Sequence, residues 1–214
     1  MVLKGKELEE FYLKKFPRKT RGLDIGYLNF VLTRFGKGKV LDVGCGFGEL
    51  IEALRAFGFD VSGLTVTGLE VKECKEKGLN VVLGDAGKEL PFESNSFDIV
   101  LSIGSIEHIE NWENAMKEMS RVLKTGGRIL IETPNKSVFR NSKKYKEKGE
   151  DIDVVHFKEF NYKELLELLE KNNLSNIKSH NKIFFYPRYY ALSFLDIDFF
   201  NKKHPYLFLS AVKK

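Results

Sequence analysis

The stretch Val40-Leu41-Asp42-Val43-Gly44-Cys45-Gly46-Phe47-Gly48-Glu49-Leu50 decides how the rest of this chain is read. It opens as a short apolar run of the kind that fits a buried strand. It then breaks into glycines at alternate positions and resumes as a helical pattern through Leu50, Ile51, Leu54 and Phe57. A strand, a glycine turn and a helix in that order let backbone approach a ligand closely, because no side chain stands in the way. Free N–H groups at the helix start can meet negative or polar ligand groups. Asp42, at the strand end, adds a carboxyl beside such a ligand. Any tight turn favours glycine, so the flanking chain has to say what this one cradles.

Downstream, strand and helix patterns alternate. Val40–Val43 reads as a strand and Glu49–Phe57 as a helix closed by Gly58. Asp60–Thr65 is a strand, Val66–Lys77 a helix ending at Gly78, and Asn80–Leu83 a strand followed by Gly84-Asp85. Phe97–Ile103 is a nearly apolar strand. Trp112, Ala115, Met116, Met119, Val122 and Leu123 form a helical stripe that ends at Gly126-Gly127, and Arg128–Glu132 is the next strand. Such alternation means a parallel sheet covered by helices on both faces through right-handed crossovers. Ligands of these sheets sit at the carboxyl ends of the strands, where Gly44, Thr65, Asp85 and Ser102 to Gly104 fall.

Upstream, residues 3–16 and 23–35 carry two helical patterns that precede the sheet. They read as an N-terminal helical cap, residues 1–37, serving as packing or as a lid. Beyond the alternation, residues 135–156 form a variable polar loop long enough to be functional or disordered. Asn161 and Glu164 then make a capping-box start before Leu165, Leu166, Leu168 and Leu169. Strand-like runs at Ile177–Phe185 and Tyr206–Val212 suggest an antiparallel sheet edge. The expected fold is α/β: a Rossmann-like, seven-stranded, mostly parallel sheet with an antiparallel last strand, forming a domain over residues 38–214. The aromatic residues of the tail read mostly as the core of that edge; Tyr186 to Phe194 are the best placed to wall an acceptor pocket or a dimer surface.

Composition sets the class. The chain has 214 residues, 43% hydrophobic and 30% charged, as in ordinary globular domains with a sizeable core. No apolar run approaches a membrane span and no signal segment is visible at the start, which reads as cytoplasmic. The net charge of +5 comes from mixed Lys/Glu runs and does not favour a nucleic-acid partner. Two cysteines make neither a disulfide framework nor a metal cluster, and Cys45 reads as a small residue filling the turn.

With these elements in order, the chain resembles the class I S-adenosylmethionine-dependent methyltransferases, in the ubiquinone- and menaquinone-biosynthesis-like branch that acts on small molecules. The resemblance rests on Val40–Gly48 as the glycine-rich first motif and on Gly84-Asp85-Ala86 with Leu90-Pro91-Phe92 and Ser96-Phe97-Asp98. It rests further on Ser105-Ile106-Glu107-His108-Ile109, on Leu123-Lys124-Thr125-Gly126-Gly127 with Pro134-Asn135, and on His156-Phe157 with Phe160-Asn161. It implies S-adenosylmethionine as cofactor, S-adenosylhomocysteine as its product, and a small-molecule acceptor. It also implies roles. Gly44, Cys45 and Gly46 cradle the methionine end, with Asp42 holding the ammonium. Asp85 accepts from the adenine amino group and Ala86 offers a backbone N–H, while Ser102 and Ile103 line the sulfonium and its methyl. Thr65 and Val66 stand at the ribose edge.

One departure is visible. The family usually has Asp or Glu at the end of the second strand to clamp both ribose hydroxyls, and here Thr65 stands there. A hydroxyl makes one such bond and no charged clamp. Glu70, in the next helix, is not expected to reach back, so the reading is modest cofactor affinity with Thr65 touching the ribose. His108, after the fourth strand, is the candidate general base or acceptor-site residue, with Glu107 beside it on equal terms; His156 is a weaker candidate for that site, and His180 and His204 read as surface or strand residues. Glu107 and His108 alone do not close a metal ligand set, so no metal is expected. The alternatives are an RNA or protein methyltransferase, or a non-catalytic cofactor-binding subunit. An NAD enzyme is disfavoured by the GxGxG spacing and the missing acid. A monomer or a homodimer is compatible with the chain.

Overall fold

The structure is a computed structural model that describes residues 25–139, 156–180, 204 and 206–214. The seven-stranded sheet has the order β3-β2-β1-β4-β5-β7-β6. β1 is Lys39–Val43, β2 Asp60–Thr65, β3 Asn80–Leu83, β4 Phe97–Ile103 and β5 Leu123–Pro134; β6 is Leu174–Ser179 and β7 Tyr206–Lys213. The first five strands are mutually parallel, while β7 runs antiparallel between β5 and β6. Strand order reverses direction at β1 and β4, and that switch point opens a crevice at their carboxyl ends.

Helices cover both faces, which is why the central strands are apolar on both sides. On one face Leu41 and Val43 meet α4 (Trp112–Val122) through Ala115, Met116 and Met119, and α5 (Tyr162–Lys171) through Leu165 and Leu169. On the other, Val40 and Leu101 meet α1 (Ile25–Arg34), α2 (Glu49–Ala56) and α3 (Gly68–Glu76) through Phe30, Ile51 and Val71. Alternate residues of one strand thus serve opposite cores.

α1 is the described part of the expected cap. It is packed into the sheet's own core: the Phe30 ring lies 4.9 Å from that of Phe208 in β7 and 4.6 Å from that of His180. His180 is buried, with Nε2 2.7 Å from Ser210 Oγ, so it is a core residue and not a surface one. The first helical pattern of the cap, residues 140–155 of the variable loop and the run Tyr186 to Phe194 lie outside the described residues.

Three boundaries differ from the sequence expectation. α3 begins at Gly68 and not at Val66, because Thr67 caps it by accepting from Glu70 N at 3.2 Å. β5 begins at Leu123, where the helical stripe appeared to continue; its register shifts opposite Phe97 and Ile99. β6 begins at Leu174. Asn173 and Asn176 adopt positive φ there (59° and 49°), and the register shifts between Ser175 and Lys178, which disguises the strand's alternation.

The capping box of α5 is present as expected. Asn161 Oδ1 accepts from Glu164 N at 2.9 Å and Glu164 Oε2 accepts from Asn161 N at 2.8 Å. Asn161→Ala is expected to cost about 1 kcal/mol. For a chain of this size that lowers the melting temperature by about 3 °C, with Asn161→Asp restoring most of it. Differential scanning calorimetry measures both.

Candidate active site

The glycine turn lies at the switch point. Gly44, Gly46 and Gly48 all have positive φ (82°, 54° and 77°), a conformation in which an L side chain is strained. Gly44 also has no room: a Cβ there would sit 2.2 Å from Ser105 Oγ, which itself donates to the Val43 carbonyl at 2.8 Å. The N–H groups of Gly44 and Cys45 both donate to the Leu64 carbonyl, at 2.8 and 3.1 Å. The Gly44 N–H is therefore already taken within the fold. What Gly44 offers instead is an absent side chain.

A cavity of about 470 Å³ opens here. β1 and its turn supply Val43, Gly44 and Gly46; the end of β2 supplies Leu64, Thr65 and Val66, with Thr67 and Glu70 following. Ala86, Ile103, Ser105, His108 and Ile109 complete the lining. That size lies in the range of small-molecule and cofactor sites.

A carboxylate reaches the end of β2 from α3. Glu70 is buried in the first turn of that helix and its Oε2 accepts a hydrogen bond from Thr65 Oγ1. Its Oε1 lies 3.9 Å from where a Gly46 Cβ would stand. The expectation that Glu70 does not reach back is thus corrected: helix capping by Thr67 turns its side chain toward the strand end. The Thr67-x-x-Glu70 spacing was the available signal, although in a capping box the Glu would return to the cap's own N–H.

Asp42 is buried, 5% exposed. Burial first, and the neighbouring Glu49 charge second, push its carboxyl up to about 7. A carboxyl so placed takes up its charge readily only when a cation arrives. Cys45 is buried too, and burial followed by the charge of Asp42 raises its thiol well above the usual range, so it is no nucleophile at neutral pH.

Other sequence candidates divide. Ala86 and Ile103 line the cavity, and Val66 does so while 57% exposed. Asp85 is exposed beside Ala86 and its Oδ1 accepts from Gly87 N at 2.8 Å, which holds the turn. Ser102 does not face the cavity. Its side chain is fully buried in β4 and its Oγ has no hydrogen-bond partner, whereas Ile103 and Ser105 line the cavity. Strand alternation explains the difference: neighbours in β4 point to opposite faces. His108 lines the cavity, and His156 packs on it with ring centroids 4.7 Å apart.

These features fit the group that the resemblance implies. Positive-φ glycines leave a close approach, a buried carboxyl needs a cation, and a second buried carboxyl lines the cavity at the end of β2.

A family model for a methyltransferase domain matches residues 41–131. An uncharacterised protein of Methanocaldococcus jannaschii is 30% identical over 69% of this chain and 70% of its own length. The ubiquinone biosynthesis O-methyltransferase of Photobacterium profundum is 35% identical over 52% of this chain, and the match spans 48% of that enzyme. The Caenorhabditis elegans sterol 4-C-methyltransferase is 35% identical over 42% of this chain, but the match spans only 29% of the relative. In three dimensions, a SAM-dependent methyltransferase from Archaeoglobus fulgidus superposes with a TM-score of 0.69 over 96% of this chain and 99% of its own, at 21% identity; that likeness concerns the fold. Among the described residues no helix is long and apolar enough to cross a membrane. With its glycine turn, sheet order and matched segments together, the chain belongs to the class I S-adenosylmethionine-dependent methyltransferases.

Proposed function

We propose that this protein transfers a methyl group from S-adenosylmethionine to a small-molecule acceptor, releasing S-adenosylhomocysteine. The observation that carries this reading is the cavity at the glycine turn, lined by the buried Glu70, with the buried Asp42 two residues before Gly44 and itself outside the lining. Asp42 would hold the ammonium and Glu70, braced by Thr65, the ribose hydroxyls. Asp85 and Ala86 would meet the adenine. When bound, the cofactor supplies a methyl group activated by a sulfonium.

The chain's own part is alignment, worth roughly 7–11 kcal/mol in favourable cases. Ile103 and Ser105 shape the space beside the methyl, and His108 is placed to hold an acceptor proton. The cavity's modest size supports a small acceptor, and the mixed surface charge supports action without nucleic acid. The same proposal places the enzyme in the cytoplasm, as a monomer or a homodimer.

Isothermal titration with S-adenosylhomocysteine tests the reading, with transfer of labelled methyl to pooled small-molecule acceptors as the second readout. Glu70→Gln is expected to weaken binding about tenfold, the worth of a hydrogen bond to a charged group. No binding by the parent chain at about 1 mM product would sink the proposal.

A further inference from the structure

We propose that Glu107, His108 and His156 form a divalent-metal site beside the cavity, with zinc the ion that fits their chemistry best. In sequence only the adjacent pair is visible. The fold adds the third member: the N–H groups of Phe157 and Lys158 both donate to the Glu107 carbonyl, at 2.8 and 3.3 Å, and fasten the His156 segment onto the 3-10 turn Ile106–His108. One donor atom from each of the three residues then lies within 4.8 Å of the others. Ligand atoms bonded at 2.0–2.1 Å around tetrahedral zinc stand about 3.3 Å apart, so side-chain shifts of roughly an ångström close the set.

Two imidazoles and one carboxylate are the donors of zinc sites that keep an open position. Their surroundings also suit an ion. Thr133 Oγ1 donates to Glu107 Oε2 at 2.9 Å, which fixes the carboxylate. Glu159 Oε1 lies 3.8 Å from His156 Nδ1, beyond hydrogen-bond reach as the ring stands; the same small shift that closes the set would bring the carboxylate onto Nδ1 and leave Nε2 for the ion. Glu107 is buried, whereas the His108 side chain is 23% exposed and lines the cavity. The open position therefore belongs on the His108 side, where it takes an oxygen ligand such as a hydroxyl or carboxylate of the acceptor. The ion site stands independently of the methyltransfer reading; only its bearing on the acceptor rests on it.

The experiment is titration of zinc chloride into the full chain after chelator treatment, without cofactor, followed by S-adenosylhomocysteine titration of the same samples. One zinc per chain is expected. His156→Asn removes a direct ligand and should weaken zinc by more than the roughly 10–100-fold cost of losing an outer partner, which is the range expected for Glu159→Gln. His204→Asn should bind zinc as the parent does. Parent-like zinc affinity in His156→Asn, or no stoichiometric binding by the parent below about 1 mM, overturns the site. Should His156→Asn fail to fold, cobalt(II) absorption of the parent decides: intense visible bands of low-coordinate cobalt support the site, and an aqueous-ion spectrum overturns it. Because product binding is measured separately, loss of the metal site leaves the cofactor reading standing, and the reverse.

Discussion

Asp42→Asn is expected to raise the melting temperature at pH 8 by about 5 °C and to weaken S-adenosylhomocysteine binding about 100-fold. The carboxyl titrates near 3.8 when unfolded and at about 7 in the fold, because burial and then Glu49 disfavour its charge. The fold therefore binds this proton more tightly than the unfolded chain does. Stability from it is fully present below pH 3.8 and is lost as pH rises through about 7. Three units correspond to about 4 kcal/mol of cost in the charged form. Asparagine keeps the shape and removes the charge, and about 2 kcal/mol of recovery is a fair share once its amide has to find partners. The same charge is what the cofactor's ammonium needs, and a charge-assisted hydrogen bond is worth 1.5–3 kcal/mol. Parent affinity should accordingly fall as pH drops below 7, while the variant's stays flat. Calorimetry at pH 5 and pH 8 with product titration reads both effects. An unchanged melting temperature at pH 8 would show that the carboxyl carries no such cost.

Gly44→Ala is expected to destabilise the chain by about 4 kcal/mol and to abolish product binding. A left-handed conformation costs a non-glycine residue roughly 1–2 kcal/mol. The new methyl would sit 2.2 Å from Ser105 Oγ and 2.7 Å from its Cβ. Ser105 would have to swing away and give up its bond to the Val43 carbonyl, adding about 1 kcal/mol, with overpacking on top. Gly46→Ala is the matched control. It also needs positive φ, but its nearest neighbour is 3.9 Å away, so its stability loss should stay near 1–2 kcal/mol. Equal melting temperatures for the two variants would refute the steric account.

The sheet was legible because glycines punctuate it. Gly58 and Gly78 both take positive φ where helices end, and the apolar runs between them are short enough to be strands only. Thr67 was legible in principle as a cap, yet Val66 ahead of it extends the apolar pattern and drew the helix start forward. Ser102 and Ile103 look interchangeable in sequence; which of them faces the cavity depends on strand register, fixed by the β4–β5 pairing of Ile103 with Glu132. Glu70 was missed because the Thr67-x-x-Glu70 spacing reads as a capping box, which would return the carboxylate to the cap's own N–H; in the fold it accepts from Thr65 at the end of β2. His156 meets His108 only through backbone bonds to Glu107, a pairing with no signature in spacing.

Among the described residues β6 has a single neighbour in the sheet, β7, and β7 follows it in the chain. During folding, β6 therefore joins the rest of the sheet only when the later strand docks on β5. The pairing of Ile129 with Ala211 and of Glu132 with Phe208 spans a long stretch of chain, and closing such loops is slow. Until it closes, the β5 edge stands open as a template for other strands. The five parallel strands that carry the glycine turn and Glu70 can assemble before that, so the cleft precedes the edge that seals the sheet. A cofactor captured early would bias the chain toward completion and away from aggregation.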